Sequence, residues 1–290
     1  MESTTKAMFI EQQKAEITEH FVYARLSDFC TDDKNKKILK NISDDELRHY
    51  HIWKKITGKE LKPSRFKISY FVWLARILGL SFALKLMEGG EADAQVFYEK
   101  AAGEHPQVSK IQHDEEAHEK ELIGILNDKR LLYVGAIVLG LNDALVELTG
   151  TLVGLSFAFS NNLVIGVTGL IMGIAAALSM ASSGYLASQE EEEKEDVNPI
   201  TAAIYTGVAY LVTVILLVFP YFLFSSAKIA MGLMLVITLL IIAAYNYYIS
   251  VAKEVSFRQR FVSMALISLG VGAISFGIGL LAKYWLGVGI

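Results

Sequence analysis

The chain has 290 residues, a formal net charge of −4 and a single cysteine, Cys30. One cysteine excludes an intrachain disulfide scaffold and a four-cysteine metal site. The slightly acidic balance, without a basic stripe, gives no indication of nucleic-acid binding. The first residues contain no apolar run, so we predict no secretory signal peptide there.

The composition changes abruptly near residue 130. All but six of the 27 Lys and Arg residues, and all six His residues, precede residue 131. Beyond that point Leu, Ile, Val, Ala, Gly and Phe dominate, in runs long enough to cross a bilayer. We therefore predict a soluble charged domain at residues 1–128 and a membrane domain at residues 129–290.

The first helix of the soluble domain is expected from about Thr5 to Asp28. It carries Glu16 and Tyr23 seven residues apart, which places them two turns apart on one face, with His20 between them. These side chains are candidates for an inward-facing polar row.

Two further helices can be bounded from their ends. The second is expected at about Lys34–Thr57, because Gly58 and then Pro63 follow it. A later helix is expected at about Gln107–Asp128, with Pro106 at its start.

Both of these helices carry the motif Glu-x-x-His, at Glu46 and His49 and at Glu115 and His118. The two side chains of each motif project from one helix face. Each motif lies in a row with alternating three- and four-residue spacing, which is typical of the buried face of a bundle helix. Burying a carboxylate beside an imidazole is costly unless a cation compensates them, so the pattern favours a metal site over a solvated surface pair. The rows are Leu39, Ile42, Glu46, His49, Trp53 and Ile56, and Val108, Ile111, Glu115, His118, Leu122 and Ile125.

The segment between these two helices has two parts. Residues 66–83 are too apolar for an exposed bundle face, while Lys67 and Arg76 argue against a membrane span. This part is expected either to pack beneath the bundle or to dock on the membrane surface or on a second subunit. The remaining bundle helix is expected to follow, with inward-facing side chains at Leu84, Glu88, Glu91, Gln95 and Tyr98.

Four helices, two with Glu-x-x-His and two with single carboxylates, form the arrangement of di-iron carboxylate proteins. Residues 5–128 thereby resemble a rubrerythrin or ferritin-like domain, which is an all-α four-helix bundle. The resemblance implies two bound iron ions, with Tyr23 and His20 behind the ligands. Glu19 is an alternative to Glu16, and Glu88 and Glu91 are alternatives to each other. The implied ligands are Glu16, Glu46, His49, Glu88, Glu91, Glu115 and His118.

Five apolar stretches follow residue 130, each long enough to cross hydrocarbon of ~30 Å at ~1.5 Å per residue. The basic residues near their ends predict the orientation. Six of these basic residues lie on the same side of the membrane as the N-terminus, and two lie on the opposite side. We therefore expect a protein of the cell membrane with a cytoplasmic N-terminal domain and its C-terminus outside. The stretches are Leu132–Phe159, Leu163–Ala187, Pro199–Phe224, Ile229–Val251 and Phe261–Trp285.

The first of these stretches contains two acidic residues, Asp143 and Glu147, one helical turn apart. Ionisable side chains in the middle of a membrane span are costly, so they indicate a functional role. The two acids face the same way, and no basic residue of the span neutralises them. We therefore expect a path for cations or protons rather than a structural hydrogen bond. In the second stretch, Met180 offers a sulfur ligand among small residues.

The first two stretches resemble those of the vacuolar iron transporter family, in the segments VLGLNDALVELTGTLVG and AAALSMASSGYLAS. The resemblance covers about residues 130–290 and implies that Asp143, Glu147 and Met180 belong to the transport path. Those transporters carry a helical metal-binding insert after the second span, where this chain has only an acidic run at residues 190–196. We interpret the N-terminal domain as the replacement for that insert, so the whole chain resembles a fusion of the membrane-bound ferritin type.

These patterns predict a transporter that exports iron(II) from the cytoplasm in exchange for protons. Its di-iron domain would capture, sense or oxidise the metal, so ferroxidase activity stays open. Manganese stays open as an alternative to iron, because oxygen and imidazole ligands accept both metals. The resemblance further implies a homodimer in the lipid membrane.

The alternative is a membrane-anchored di-iron oxidase or peroxidase whose spans serve only as a tether. Asp143 and Glu147 argue against it, because a tether needs no acidic residue within a span. Rubrerythrins that act as peroxidases also carry an iron site held by paired cysteines, and this chain has only Cys30.

Overall fold

The computed structural model describes residues 2–88, 106–125, 133–190 and 198–286. Within these ranges the chain forms ten α-helices and no β-strand. The predicted all-α class is therefore confirmed for the described residues. The chain divides into two compact units, Met1–Asp128 and Lys129–Ile290.

The first unit is built around a pair of long helices, α1 at Glu2–Asp28 and α2 at Asp33–Thr57. The Asp32 carboxylate caps α2 by accepting a hydrogen bond from the backbone N–H of Asn35 at 2.8 Å. Gly58 ends the helix with a φ of 68°, a left-handed conformation that costs glycine little. Both predicted helix boundaries lie within a few residues of the observed ones.

The face of α2 that carries Glu46 and His49 is buried, as its spacing predicts. Trp53 from this face packs with Phe9 of α1 and with Val108 and Ile111. The latter two begin α5, Val108–Ile125, which also buries His118 and Leu122. Three helices thus share one apolar layer next to the Glu-x-x-His motifs.

The segment after α2 folds as two helices, α3 at Arg65–Leu78 and α4 at Leu80–Glu88. A single segment from residue 66 to 83 was expected, and that boundary was wrong. Gly79 has a φ of 100°, which interrupts the helix four residues before the expected end. Leu84, which was expected to belong to the next helix, therefore lies within α4. The rest of the predicted bundle helix, with Gln95 and Tyr98, lies outside the described residues.

Among its described residues the second unit forms five helices, and all five are long and apolar enough to cross a membrane. The five predicted spans are therefore confirmed in number, with ends that differ by a few residues. Large apolar side chains such as Leu178, Leu240 and Leu266 are exposed on their outer faces, as a lipid environment requires. The helices are α6 Val134–Ala158, α7 Asn162–Glu190, α8 Pro199–Leu223, α9 Ala227–Lys253 and α10 Phe257–Leu286.

Small residues bring α6 very close to two of its neighbours. A Cβ atom added at Gly140 would overlap the backbone carbonyl of Thr206 on α8. The hydroxyl of Thr206 also donates to the carbonyl of Ala136 at 3.1 Å. On the other side of α6, a Cβ at Gly279 of α10 would overlap the carbonyl of Gly154. Such backbone approach is how membrane helices gain packing energy where no hydrophobic effect operates between them.

We expect Gly140→Ala to destabilise the second unit by about 1–3 kcal/mol, because the added methyl group must push the α8 backbone away. Gly135→Ala is the matched control on the same helix, since nothing lies within 4 Å of a Cβ at that position. The check is the free energy of unfolding of both variants in mild detergent. Equal stability of the two variants would contradict this packing.

Candidate metal centre and membrane acidic pair

Three helices of the first unit bring acidic and imidazole side chains together. α1 supplies Glu16, α2 supplies Glu46 and His49, and α5 supplies Glu115. Each residue offers one ligand atom, and these atoms all lie within 4.8 Å of one another. Glu16, Glu46 and His49 are 0%, 3% and 1% exposed, so most of this group is shut off from water.

The Nδ1 atom of His49 is the point on which the carboxylates converge. The nearest oxygens belong to Glu115 at 3.2 Å, Glu16 at 3.4 Å and Glu46 at 3.6 Å. Nδ1 is buried and forms no hydrogen bond within the described part of the chain, and the same holds for Oε2 of Glu46. An ion with bonds of ~2.1 Å would hold adjacent ligand atoms ~3 Å apart, so the spacing fits a shared cation.

The second imidazole faces two of the same carboxylates. Nδ1 of His118 lies 3.4 Å from Oε1 of Glu46 and 3.4 Å from Oε2 of Glu115. Glu46 and Glu115 therefore each place one oxygen near His49 and the other near His118. The imidazole ring centroids are 5.9 Å apart. Each imidazole therefore faces both of these carboxylates, so that all four side chains belong to one cluster.

Outer carboxylates hold the far nitrogen of each imidazole. Nε2 of His49 lies 3.2 Å from Oδ2 of Asp114, and Nε2 of His118 lies 3.1 Å from Oδ2 of Asp45. Each aspartate thus binds the histidine of the opposite helix. Such a partner orients a metal-binding imidazole and raises its basicity. Sequence reasoning missed both aspartates, although each directly precedes the glutamate of its own motif.

Arg48 joins the two outer aspartates. Its guanidinium forms an ion pair with Asp45 on its own helix and a second, at 3.4 Å, with Asp114 on α5. The arginine side chain is 56% exposed, so its net contribution to stability is small. Its structural effect is to link the supports of both histidines.

Trp53 orients the remaining carboxylate. Its indole Nε1 donates a hydrogen bond of 3.0 Å to Oε1 of Glu16, and the Gln12 amide donates to the same oxygen at 3.4 Å. Oε2 of Glu16 is the oxygen on the side of His49. The spacing of α2 identified Trp53 as an apolar residue, and its polar role was missed.

Burial and neighbouring charge set the protonation of this group in opposite directions. Burial raises the pKa of Glu46 well above its ordinary value, and repulsion from Glu115 adds to this. Burial acts the same way on Glu115, but the hydrogen bond with His118 and the nearby charges of His118 and His49 outweigh it and lower its pKa to about 2.

Burial lowers the pKa of both histidines, but their carboxylate partners have the larger combined effect. Glu115 and Glu46 raise the pKa of His118 to about 11. Glu115, Glu16 and Glu46 raise the pKa of His49 well above its ordinary value. Without a metal, protonated imidazoles therefore supply the positive charge, a role that a metal ion can take over.

The other predicted residues of the first unit lie around this group. The group contains Glu16 rather than its alternative on α1, Glu19. Nδ1 of His20 hydrogen-bonds with the carbonyl of Ser43 at 2.7 Å and so ties α1 to α2. Tyr23 is buried on α1, with 2% of its surface exposed. The predicted ligand roles of Glu88, whose side chain is not described, and of Glu91 lie outside the described residues.

In the second unit, Asp143 and Glu147 lie on the same side of α6, as predicted, and interact electrostatically. The Tyr210 hydroxyl of α8 donates a hydrogen bond of 2.6 Å to Oε2 of Glu147. Tyr210 is completely buried, whereas Asp143 is half-buried and Glu147 is exposed on the surface of the single chain. Sequence reasoning missed Tyr210, because its partner is 63 residues away.

Met180, the third predicted residue of the membrane site, lies on α7. Its side chain is half-buried and packs against the apolar core to which all five helices of the second unit contribute. The nearby hydroxyl of Ser182 donates to the carbonyl of Leu178 in its own helix at 2.8 Å. The observed contacts of Met180 are therefore those of a packing residue at the edge of the core.

Residues 134–198 match the VIT family. This segment covers α6 and α7 and ends at Asn198, the residue that caps α8, and it contains Asp143, Glu147 and Met180. No curated protein and no solved structure matches the chain. The VIT segment and the five long apolar helices together identify an integral membrane protein.

Proposed function

We propose that this protein exports iron(II) from the cytoplasm in exchange for protons, and that its first unit is a ferritin-like di-iron domain. The observation that carries the proposal is the pair of carboxylates on α6, which lies within the VIT family segment. The family match supports membrane transport of metal ions. A tether would need neither acid within a span.

Metal and protons would compete for the same carboxylate oxygens. A divalent ion between Asp143 and Glu147 offsets the repulsion between them and favours loss of a carboxyl proton. The Tyr210 hydroxyl holds one oxygen of Glu147 at 2.6 Å and leaves the other for the ion. Met180 would offer a softer ligand from α7 after a small displacement from the core. Proton entry would then return each carboxylate to its neutral form.

The exposure of Glu147 on α6 supports a homodimer. A carboxylate in contact with hydrocarbon is costly, so this surface needs a cover that provides water or polar groups. A second copy that places its own α6 opposite would enclose four acids in one shared path. This arrangement makes the transport path a property of the dimer.

In the first unit we propose a two-ion centre with Glu46 and Glu115 as shared ligands. His49 and Glu16 would complete the coordination of one ion, and His118 would bind the other. Such a centre would capture iron(II), sense it or oxidise it. The ligand set accepts manganese as well as iron. The excess of basic residues at one end of the spans supports a cytoplasmic location for this unit and an outside C-terminus.

We expect the full-length protein, loaded with iron(II) under anaerobic conditions, to bind two ions per chain that are lost in the double variant Glu46→Gln and Glu115→Gln. Each substitution replaces one carboxylate oxygen of a shared ligand with an amide nitrogen, which does not bind metal, and removes one negative charge. Asp45→Asn, which leaves every ligand in place, should weaken metal binding by ~10–100-fold, because it releases the far nitrogen of His118. Metal analysis and titration of the detergent-solubilised protein check both expectations.

The matched control for metal loading is Glu11→Gln, because Glu11 is an exposed glutamate on α1. It should leave the metal content unchanged. A parent protein that binds no more metal than the double variant would remove the di-iron assignment, and a difference of one ion would remove the two-ion centre.

We expect a pH gradient across sealed vesicles to drive iron(II) uptake by the parent protein. Asp143→Asn should abolish the flux, and Glu147→Gln should weaken the drive by the gradient, because each removes a group that binds both metal and protons. Radioactive iron uptake into vesicles at matched protein insertion measures both effects.

The control for flux is Glu254→Gln, which neutralises a carboxylate just beyond the end of α9. It should transport like the parent. Flux that survives Asp143→Asn would remove Asp143 from the path. Parent flux that ignores the pH gradient would exclude antiport, and a metal-loaded parent without any flux would favour the tethered oxidase.

A third expectation separates capture from transport. If the first unit only collects the metal, Glu46→Gln should reduce flux at low iron concentration and leave it unchanged at saturating iron. Initial rates over a range of iron concentrations provide the check. A loss of the maximal rate would instead make the first unit part of the transport path.

A further inference from the structure

Among the described residues, α3 buries one apolar face inside the first unit and leaves a second apolar face exposed. Ile68, Leu74 and Ala75 are buried. The opposite face carries four large apolar side chains at four-, three- and four-residue spacing, which places them in one stripe along the helix. These are Phe66, Tyr70, Trp73 and Ile77, with exposures of 79%, 40%, 57% and 53%.

Basic side chains flank this stripe on both sides. At ~100° per residue, Arg65 and Arg76 lie on one flank and Lys67 lies on the other, each roughly 90–110° from the centre of the stripe. All three are exposed. No acidic residue occurs between residues 61 and 87, in a chain whose net charge is −4. The helix therefore combines an apolar centre with purely positive edges.

The orientation of this face is set by contacts to α1. The backbone N–H of Ser64, the residue that caps α3, donates to the hydroxyl of Thr18 at 3.0 Å. The Arg76 guanidinium lies over the ring of Phe29, 5.4 Å from its centroid. α3 is thus held at its start by α1 and near its end by Phe29, the residue that follows α1, while the stripe remains exposed.

We propose that α3 lies in the surface of a bilayer that contains anionic lipids. The stripe enters the boundary between headgroups and acyl chains, where tryptophan and tyrosine are favoured. The flanking Arg65 and Lys67 side chains extend to lipid phosphates, whose charge complements the positive edges. The spans in the same chain keep a bilayer at high effective concentration, so a weak individual interaction is sufficient.

Charge also argues against a second copy as the occupant of this face. A two-fold contact between two α3 stripes would bring their positive edges together without any acid on the helix to compensate them. Lipid phosphates provide that compensation, and another α3 does not.

The test measures lipid contact of Trp73 in the full-length protein, reconstituted in nanodiscs that contain acyl chains brominated near the headgroup. Trp285 is 79% exposed on α10, so a Trp285→Phe background removes its response to lipid. Trp53 is fully buried and serves as an internal reference. In anionic nanodiscs we expect bromine to quench the Trp73 component of the emission, and Trp73→Phe in the same background abolishes this quenching.

Two further arms test the charge. Quenching should decrease in zwitterionic nanodiscs, and it should decrease in anionic nanodiscs when Arg65→Glu and Lys67→Glu are combined. Equal quenching with and without Trp73 would overturn the proposal. Trp73 that is protected from aqueous acrylamide but not quenched by brominated lipid would also overturn it, because the face would then be covered by protein. None of these readouts depends on metal flux.

Discussion

The cost of placing carboxylates in apolar surroundings is the constraint on which both units depend. The described helices hold Glu16 and Glu46 almost without solvent contact, and α6 carries two acids in the middle of an apolar helix. The first unit meets the cost of this burial by placing two imidazoles beside its carboxylates, whereas the second leaves Asp143 half-buried and Glu147 exposed. Both solutions leave room for an exchangeable cation, so the same physical problem explains two sites of different architecture.

Spacing along one helix was enough to predict much of the first unit. The row from Leu39 to Trp53 predicts which face of α2 is buried, because residues three and four apart share a face whatever lies opposite. The helix ends follow from local chemistry, such as the left-handed Gly58. The break at Gly79 was missed, because a glycine in an apolar run is equally compatible with a continuous helix.

The partners of the candidate site could not be predicted in the same way. Asp114 binds His49, Trp53 binds Glu16 and Tyr210 binds Glu147, and each pair is at least 37 residues apart in sequence. Such contacts depend on the rotation and register of packed helices, which no periodicity within one helix specifies. The crossed pairing of the outer aspartates has a further effect. Since each histidine is oriented from the opposite helix, neither Glu-x-x-His motif is complete unless α2 and α5 are correctly aligned.

The close contact between α6 and α8 restricts how the membrane unit can move. Thr206 touches α6 at Ala136 and Gly140, and Tyr210 binds it at Glu147, so α8 is joined to α6 over about three turns. Sliding of one helix past the other would break a backbone contact and two hydrogen bonds together. We infer that the pair moves as one body. In the proposed transporter, access that alternates between the two sides of the membrane would then come from hinge or rocking motion at other helix contacts.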